Sequence, residues 1–133
     1  MYLNQLSNEQ KELFLDLCIH AAQANHVVEE KEKQYIEQYC TEMQLESVRF
    51  TVRISVEEAV EKLVAISTMR ELRIVLIELT ALVLCDGTYD EAEKAFVQQL
   101  ACAANVAESE MLQIQENVSD LFTIYAKLDK LIG

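Results

Sequence analysis

Four acidic residues lie close together in the stretch LCDGTYDEAEKAF, which runs from Leu84 to Phe96. They are Asp86, Asp90, Glu91 and Glu93. Carboxylate oxygens are the ligands that calcium and magnesium prefer in proteins, so one hypothesis is a metal site for Ca²⁺ or Mg²⁺. The competing hypothesis is structural. Gly87 would end one helix, Asp90 would cap the next, and the two glutamates would favour the positive end of that helix's dipole.

The spacing of these acids excludes an EF-hand. Such a loop needs oxygen ligands at its first, third, fifth and twelfth positions and a glycine at its sixth. Counted from Asp86, the sixth position is Glu91 and the twelfth is Val97, so both requirements fail. Helix capping accounts for every acid in the stretch, and we expect it to be their main role.

Other catalytic patterns are weak. His20 and His26 are the only histidines, and no nucleophile or second histidine lies at ligand spacing from His26, which favours an exposed loop residue. His20 shares a helix stripe with Asp16 and Gln23, which we expect to be a solvated face. The chain has no glycine-rich phosphate loop, no Gly-x-Ser-x-Gly and no zinc-binding helix motif. These observations predict a protein that is not an enzyme.

Composition favours a single all-α domain covering residues 1–133. Apolar residues make up 51% of the chain and charged residues 26%, with no proline and two glycines. Sandwiches and barrels need many tight turns, which proline and glycine usually supply. The longest apolar run, Ile74 to Cys85, is too short for a membrane span and predicts a buried core helix.

The net charge of the chain limits which classes of molecule we expect it to bind. The formal net charge is -12, and residues 1–66 and 67–133 each contribute about half of it. Such a charge repels nucleic acid phosphates and anionic lipid, so we expect neither nucleic acid binding nor membrane insertion. The start of the chain lacks the pattern of a secretory signal, and the four cysteines lack metal-site spacing. We therefore expect a cytoplasmic protein whose cysteines are buried, reduced thiols.

Helix starts are marked by capping-box patterns. These patterns begin at Ser7, Ser55, Thr68 and Asp90, each followed three residues later by Gln or Glu. Together with apolar spacing they predict about seven to eight helices. The predicted ranges are 8–24, 30–43, 47–53, 56–67, 69–85, 91–104, 108–117 and 120–131.

The chain also matches itself after a shift of 61 residues. Glu30 then falls on Glu91, Glu32 on Glu93, and Leu45 on Val106, with matching apolar positions around them. The pattern predicts two duplicated halves, at approximately 8–67 and 69–131, related by a pseudo-two-fold axis about one shared core.

The stretch CDGTYDEAEKAFVQQLA, with the weaker copy ANHVVEEKEKQYIEQYC, resembles the TerB-like family, which includes the tellurite-resistance protein TerB. The resemblance implies an all-α fold of two related halves, a helper or stress-related role, no established enzymatic activity, and acidic residues proposed to bind metal. Carried over, that proposal concerns Asp86, Asp90, Glu91 and Glu93. Asn25-His26 replaces Asp-Gly in the first copy, so a symmetric pair of metal loops is not expected.

The expected function is a non-enzymatic binding or regulatory module with an unknown protein partner. The alternative is a divalent-cation sensor or an enzyme that uses the acidic loops. The second long helix carries an apolar stripe that includes Ile77, which must be covered. We expect the last helix to cover it with Leu121, Ile124, Tyr125 and Leu128 in a monomer; the other possibility is a homodimer through that stripe.

Overall fold

Helices account for the regular structure of this chain. The computed structural model describes residues 1–24, 28–45, 50–85 and 91–133. In these residues it has a short 3-10 helix, six α-helices and no strand. The 3-10 helix is Leu3–Gln5, and the α-helices are α1 (Asn8–Gln23), α2 (Glu30–Glu42), α3 (Val56–Ile66), α4 (Met69–Leu84), α5 (Glu91–Ala103) and α6 (Glu108–Ile132).

Caps mark where the first four α-helices begin. Ser7 and Thr68 form complete capping boxes, and the Ser55 side chain accepts a hydrogen bond from the amide three residues on, so three predicted caps are confirmed. The fourth predicted cap, Asp90, lies outside the described residues. A further box at the start of α2 uses Glu29, which was not predicted because glutamate is an uncommon capping residue.

The core is built around α1 and α4. α1 packs against α2, α3 and α4, while α4 also packs against α5 and α6. Both central helices are buried along much of their length, as the apolar run from Ile74 to Cys85 predicted. Large side chains with almost no exposure fill the space between them, among them Phe14, Leu17, Leu76, Leu79 and Leu82. The sequence-based prediction of a buried core helix is therefore confirmed.

Three of the predicted helix ranges differ from the structure. The predicted ranges 108–117 and 120–131 form one continuous helix, α6. The helix continues through the predicted break at Ser119 and Asp120 because that part of the sequence contains no glycine or proline, the residues that most disrupt helical hydrogen bonding. The predicted helix at 47–53 is not helical over residues 50–53, and its remaining residues lie outside the described part. The described chain thus has six α-helices where seven to eight were expected.

α6 is the longest helix, at 25 residues. Even so, none of the helices in the described ranges combines the length and apolar character needed to cross a membrane.

Candidate functional site

The predicted acidic site is only partly within the described residues. Asp86 and Asp90 lie outside them, so their part in a metal site stays a prediction. Glu91 opens α5 with a side chain 95% exposed, and its Oε1 lies 3.7 Å from Lys94 Nζ. Glu93 is buried, with 1% exposure. Residues two apart on a helix do not face each other, so these two carboxylates do not converge.

Metal-binding clusters were sought across all described residues. None of these residues forms a group of three or more His, Cys, Asp or Glu side chains that could hold a metal ion. His26 lies outside the described residues, so the histidine–carboxylate hypothesis for the first loop stays a prediction.

Asp16 and His20 on the polar stripe of α1 anchor another segment, which corrects the expectation of a solvated face for these two residues, whereas Gln23 is exposed as expected. Asp16 is fully buried, and its carboxylate accepts hydrogen bonds from Arg53 N, Nε and Nη2 at 3.0, 3.3 and 3.0 Å. His20 Nε2 lies 2.8 Å from the Ile54 carbonyl oxygen. The stripe therefore binds the irregular segment before α3, whose donors and acceptors the sequence pattern did not reveal.

A second buried carboxylate lies on α4. Glu78 is fully buried, and its Oε2 lies 2.9 Å from the α-amino group of Met1, which also contacts Glu42 Oε1 at 2.9 Å. Burial raises the pKa of Glu78, and the nearby ammonium only partly opposes that effect. The Tyr39 hydroxyl donates to the Glu78 carbonyl oxygen. This network ties the start of the chain and α2 to the core helix α4.

The aromatic and thiol groups around Glu78 are poor acids. Burial, with the charge of Glu78 as a smaller cause, raises the pKa of Tyr35 to about 12 and that of Tyr39 well above its usual range. Burial also raises the pKa of the Cys18 thiol well above 9.0. Groups that hold their protons this firmly are unsuited to act as nucleophiles or bases near neutral pH.

None of the four cysteines forms a disulfide. Cys18 and Cys40 are buried, as expected, whereas Cys85 is half-buried and Cys102 is exposed. The expectation of four buried thiols is therefore wrong for Cys102, which lies near the end of α5 on its outer side.

An open groove of about 450 Å³ runs between α4 and α6. Arg73 and Ile77 of α4 line one side, and Met1 and Tyr2 also contact it. Across its end, Arg73 Nε donates to Glu110 Oε1 at 2.6 Å. The residues of α6 that line it are Glu110, Gln113, Ile114, Asn117, Val118 and Leu121. We call this space the α4–α6 groove. Its floor is largely apolar, which suits an apolar surface of a partner.

Beyond Leu121, α6 leaves the core while its apolar pattern continues. Ile124, Tyr125 and Leu128 are each about half exposed, and Leu131 and Ile132 are 83% and 84% exposed. We call these five residues the tail face. Spacings of three, four and seven residues place them on one side of the helix. The tail face is the largest run of exposed apolar side chains among the described residues.

The last helix covers the apolar stripe of α4 that includes Ile77 only in part as predicted. α6 packs on α4, and Val118 and Leu121 lie beside Ile77, which is half-buried. Ile124, Tyr125 and Leu128 were expected to complete that cover, but they are exposed instead. The reason is length: α6 is continuous, so its second half extends past α4 and does not fold back. Phe122 still contacts α2, with its ring 6.2 Å from that of Tyr35.

These features describe an all-α domain with an apolar groove and an exposed helical extension. A family model described as "Tellurite resistance protein TerB" matches residues 15–116, which is most of the chain, and this protein belongs to that family. No curated protein and no solved structure matches the chain. The resemblance to the TerB-like family is therefore confirmed, while the tail face lies beyond the matched residues.

Proposed function

We propose that this TerB-family domain is a non-enzymatic, cytoplasmic binding module that docks a protein partner along α6. One observation carries the proposal: the tail face exposes five large apolar residues on a single side of a helix that is otherwise folded onto the core. Large exposed apolar patches on soluble domains usually mark interaction surfaces. The α4–α6 groove lies on the same helix and extends this surface toward the core.

Electrostatics support a protein partner over a nucleic acid. The chain carries 23 acidic and 11 basic residues, and a phosphate backbone would be repelled. A helical partner with an apolar face would instead bury both surfaces, which is a common way for helices to be recognised. The family description names tellurite resistance, which supports a role in stress resistance. We propose that the domain acts there as a helper and not as a catalyst.

Site-specific photo-cross-linking tests the proposal. A photoreactive residue at Leu128, on the tail face, should capture a partner from native lysate. The same residue at Ala126, an exposed position on the opposite side of α6, is the matched control. We expect strong capture at Leu128 and little at Ala126. Equal capture at both positions would contradict docking through the tail face.

Cation binding is the alternative function, and it concerns Asp86, Asp90, Glu91 and Glu93. The exposed carboxylate of Glu91 at the start of α5 is the described feature that favours it. Millimolar calcium or magnesium should then raise the melting temperature, and Asp90→Ala should abolish the rise. An unchanged melting temperature in the wild type would leave helix capping as the role of these acids.

We infer in addition that the two halves of the chain derive from a duplication. Helix α1 has the same length as α4, and α2 has the same length as α5. The two helices of each pair begin 61 residues apart. Glu32 and Glu93, also 61 residues apart, are both buried in the first turn of their helices. A circularly rearranged chain in which the second half precedes the first should fold, provided that the joining loop is long enough.

A further inference from the structure

We propose that the partner of the tail face is a second copy of this chain, bound so that the two α6 helices run antiparallel. The inference rests on the binding role proposed above and names its partner. In this dimer the tail face of each copy lies along the α4–α6 groove of the other. Such a contact is isologous and closes on itself, as most homodimer interfaces do.

The distribution of charge along α6 favours the antiparallel orientation of the two helices. Its first part, residues 108–120, contains four acidic residues and no basic one. Its second part, residues 121–132, contains Lys127, Asp129 and Lys130, and so has one net positive charge. An antiparallel pair places the basic end of each helix against the acidic part of the other. A parallel pair would instead oppose acid with acid, which is unfavourable.

The same charges explain why a strongly acidic protein can pair with itself here. The chain as a whole carries -12, which opposes contact between most surfaces of two copies. The second part of α6 contains two of the five basic residues found in residues 67–133. The tail face therefore lies in the part of α6 where electrostatic repulsion between two copies is weakest.

Helix geometry brings the opposite charges together. Glu116, Asp120 and Lys127 are separated by four, seven and eleven residues, spacings that place them along one flank of α6, beside the tail face. In an antiparallel pair related by a two-fold axis, this flank meets the same flank of the other copy. Lys127 of one copy then lies opposite the acidic pair of the other, and the reverse contact forms at the same time.

That register also fills the groove. With Lys127 opposite the other copy's Asp120, the tail residues Leu128, Leu131 and Ile132 lie over the span from Ile114 to Leu121. Those two residues, with Val118 between them, line the α4–α6 groove. Apolar side chains that are exposed in one copy thus meet the apolar floor of the other, and both surfaces lose contact with water.

Sedimentation equilibrium of the purified, tag-free chain tests the dimer. We expect a concentration-dependent equilibrium between monomer and dimer. Leu128→Asp should raise the dissociation constant about tenfold or more, as loss of a central apolar contact commonly does. Ala126→Asp adds the same charge at an exposed position on the side of α6 opposite the tail face and should leave the constant nearly unchanged. Circular dichroism should show that both variants keep their helices.

A charge exchange tests the antiparallel register independently. Lys127→Glu should weaken the dimer by opposing acid with acid. The double variant Asp120→Lys with Lys127→Glu exchanges the two signs and should restore much of the affinity. A double variant that is weaker than the single one would overturn the antiparallel register.

Two further results would overturn the proposal. One is a wild type that stays monomeric at the highest soluble concentration, and the other is equal weakening by the Leu128 and Ala126 variants. A monomer that still cross-links another protein through Leu128 would reject the second copy yet retain the binding module. A monomer with no cross-linked partner would reject both proposals.

Discussion

Gln44 and Asn105 hold the same left-handed backbone conformation, with φ angles of 59° and 60°, and they lie 61 residues apart. Each follows the last turn of its helix, α2 or α5. The next residues, Leu45 and Val106, donate their amides back to the carbonyls of Cys40 and Ala101 at 3.1 and 2.9 Å. Both helices therefore end in the same hydrogen-bonded cap, a Schellman motif, although neither uses glycine.

Glycine at these two positions should have unequal effects. Gln44→Gly should raise the free energy of unfolding by about 0.5–1 kcal/mol, because glutamine is strained at positive φ and glycine is not. Asn105→Gly should change it less, since asparagine tolerates this conformation. Urea unfolding measures both. As a control, Thr41→Gly in the last turn of α2 should lower stability, by about 0.3–0.5 kcal/mol. A loss of stability in Gln44→Gly would contradict the strain argument.

Removal of the Asp16 carboxylate should release the segment before α3. Asp16→Ala eliminates three hydrogen bonds to Arg53, including one to its backbone amide, and we expect a loss of about 2–3 kcal/mol in the free energy of unfolding. Hydrogen exchange over residues 50–54 should become faster. Glu12, which lies 3.7 Å from the same guanidinium but is partly exposed, supplies the control. Glu12→Ala should cost at most about 0.5 kcal/mol, and equal costs would contradict the anchor.

The thiols should react in the order of their exposure. Alkylation requires the thiolate, and burial raises the pKa of Cys18 well above 9.0 while its side chain is out of reach. Brief treatment with iodoacetamide at mildly alkaline pH should modify Cys102 first and Cys18 only after unfolding. Peptide mapping by mass spectrometry reads the result, and Cys102→Ser should remove the fast phase. Rapid modification of Cys18 in the folded protein would contradict its burial.

The amino group of Met1 should make stability depend on pH in the alkaline range. Burial disfavours its charge, but hydrogen bonds and charges from Glu78 and Glu42 outweigh that effect and raise the pKa above 8.0. Because the folded pKa is the higher one, this contribution to the free energy of unfolding is complete below pH 8. It is lost as the pH rises through the raised pKa.

Glu78→Gln removes the nearest fully buried charge, so the alkaline loss of stability should begin at lower pH. Urea unfolding on both sides of pH 8, with a chain that begins at Met1, measures the change. Glu61→Gln makes the same substitution at an exposed position of α3 and should follow the wild type. Parallel curves for all three proteins would show that the ion pair does not control this step.

Most of the helices could be predicted from sequence because their signals are local. Ser7 and Thr68 open their helices through contacts made within one turn, and the apolar run of α4 indicates burial without any knowledge of its neighbours. The family could also be predicted, since its motif is a short contiguous stretch. The acids at Asp86 and Asp90 lie outside the described residues, so their role stays a prediction.

Other properties depended on contacts between distant parts of the chain. The local sequence pattern predicts that Asp16 is on the surface of its helix. It is buried instead, because Arg53, 37 residues later, donates three hydrogen bonds to its carboxylate. Leu128 reads as a core residue because its helix is amphipathic, yet it is exposed because α6 is longer than the surface of α4 that it covers. Local patterns state which side of a helix is apolar. Only the tertiary structure determines which other helix packs on that side, because this depends on the lengths of both helices and on contacts between residues far apart in the sequence.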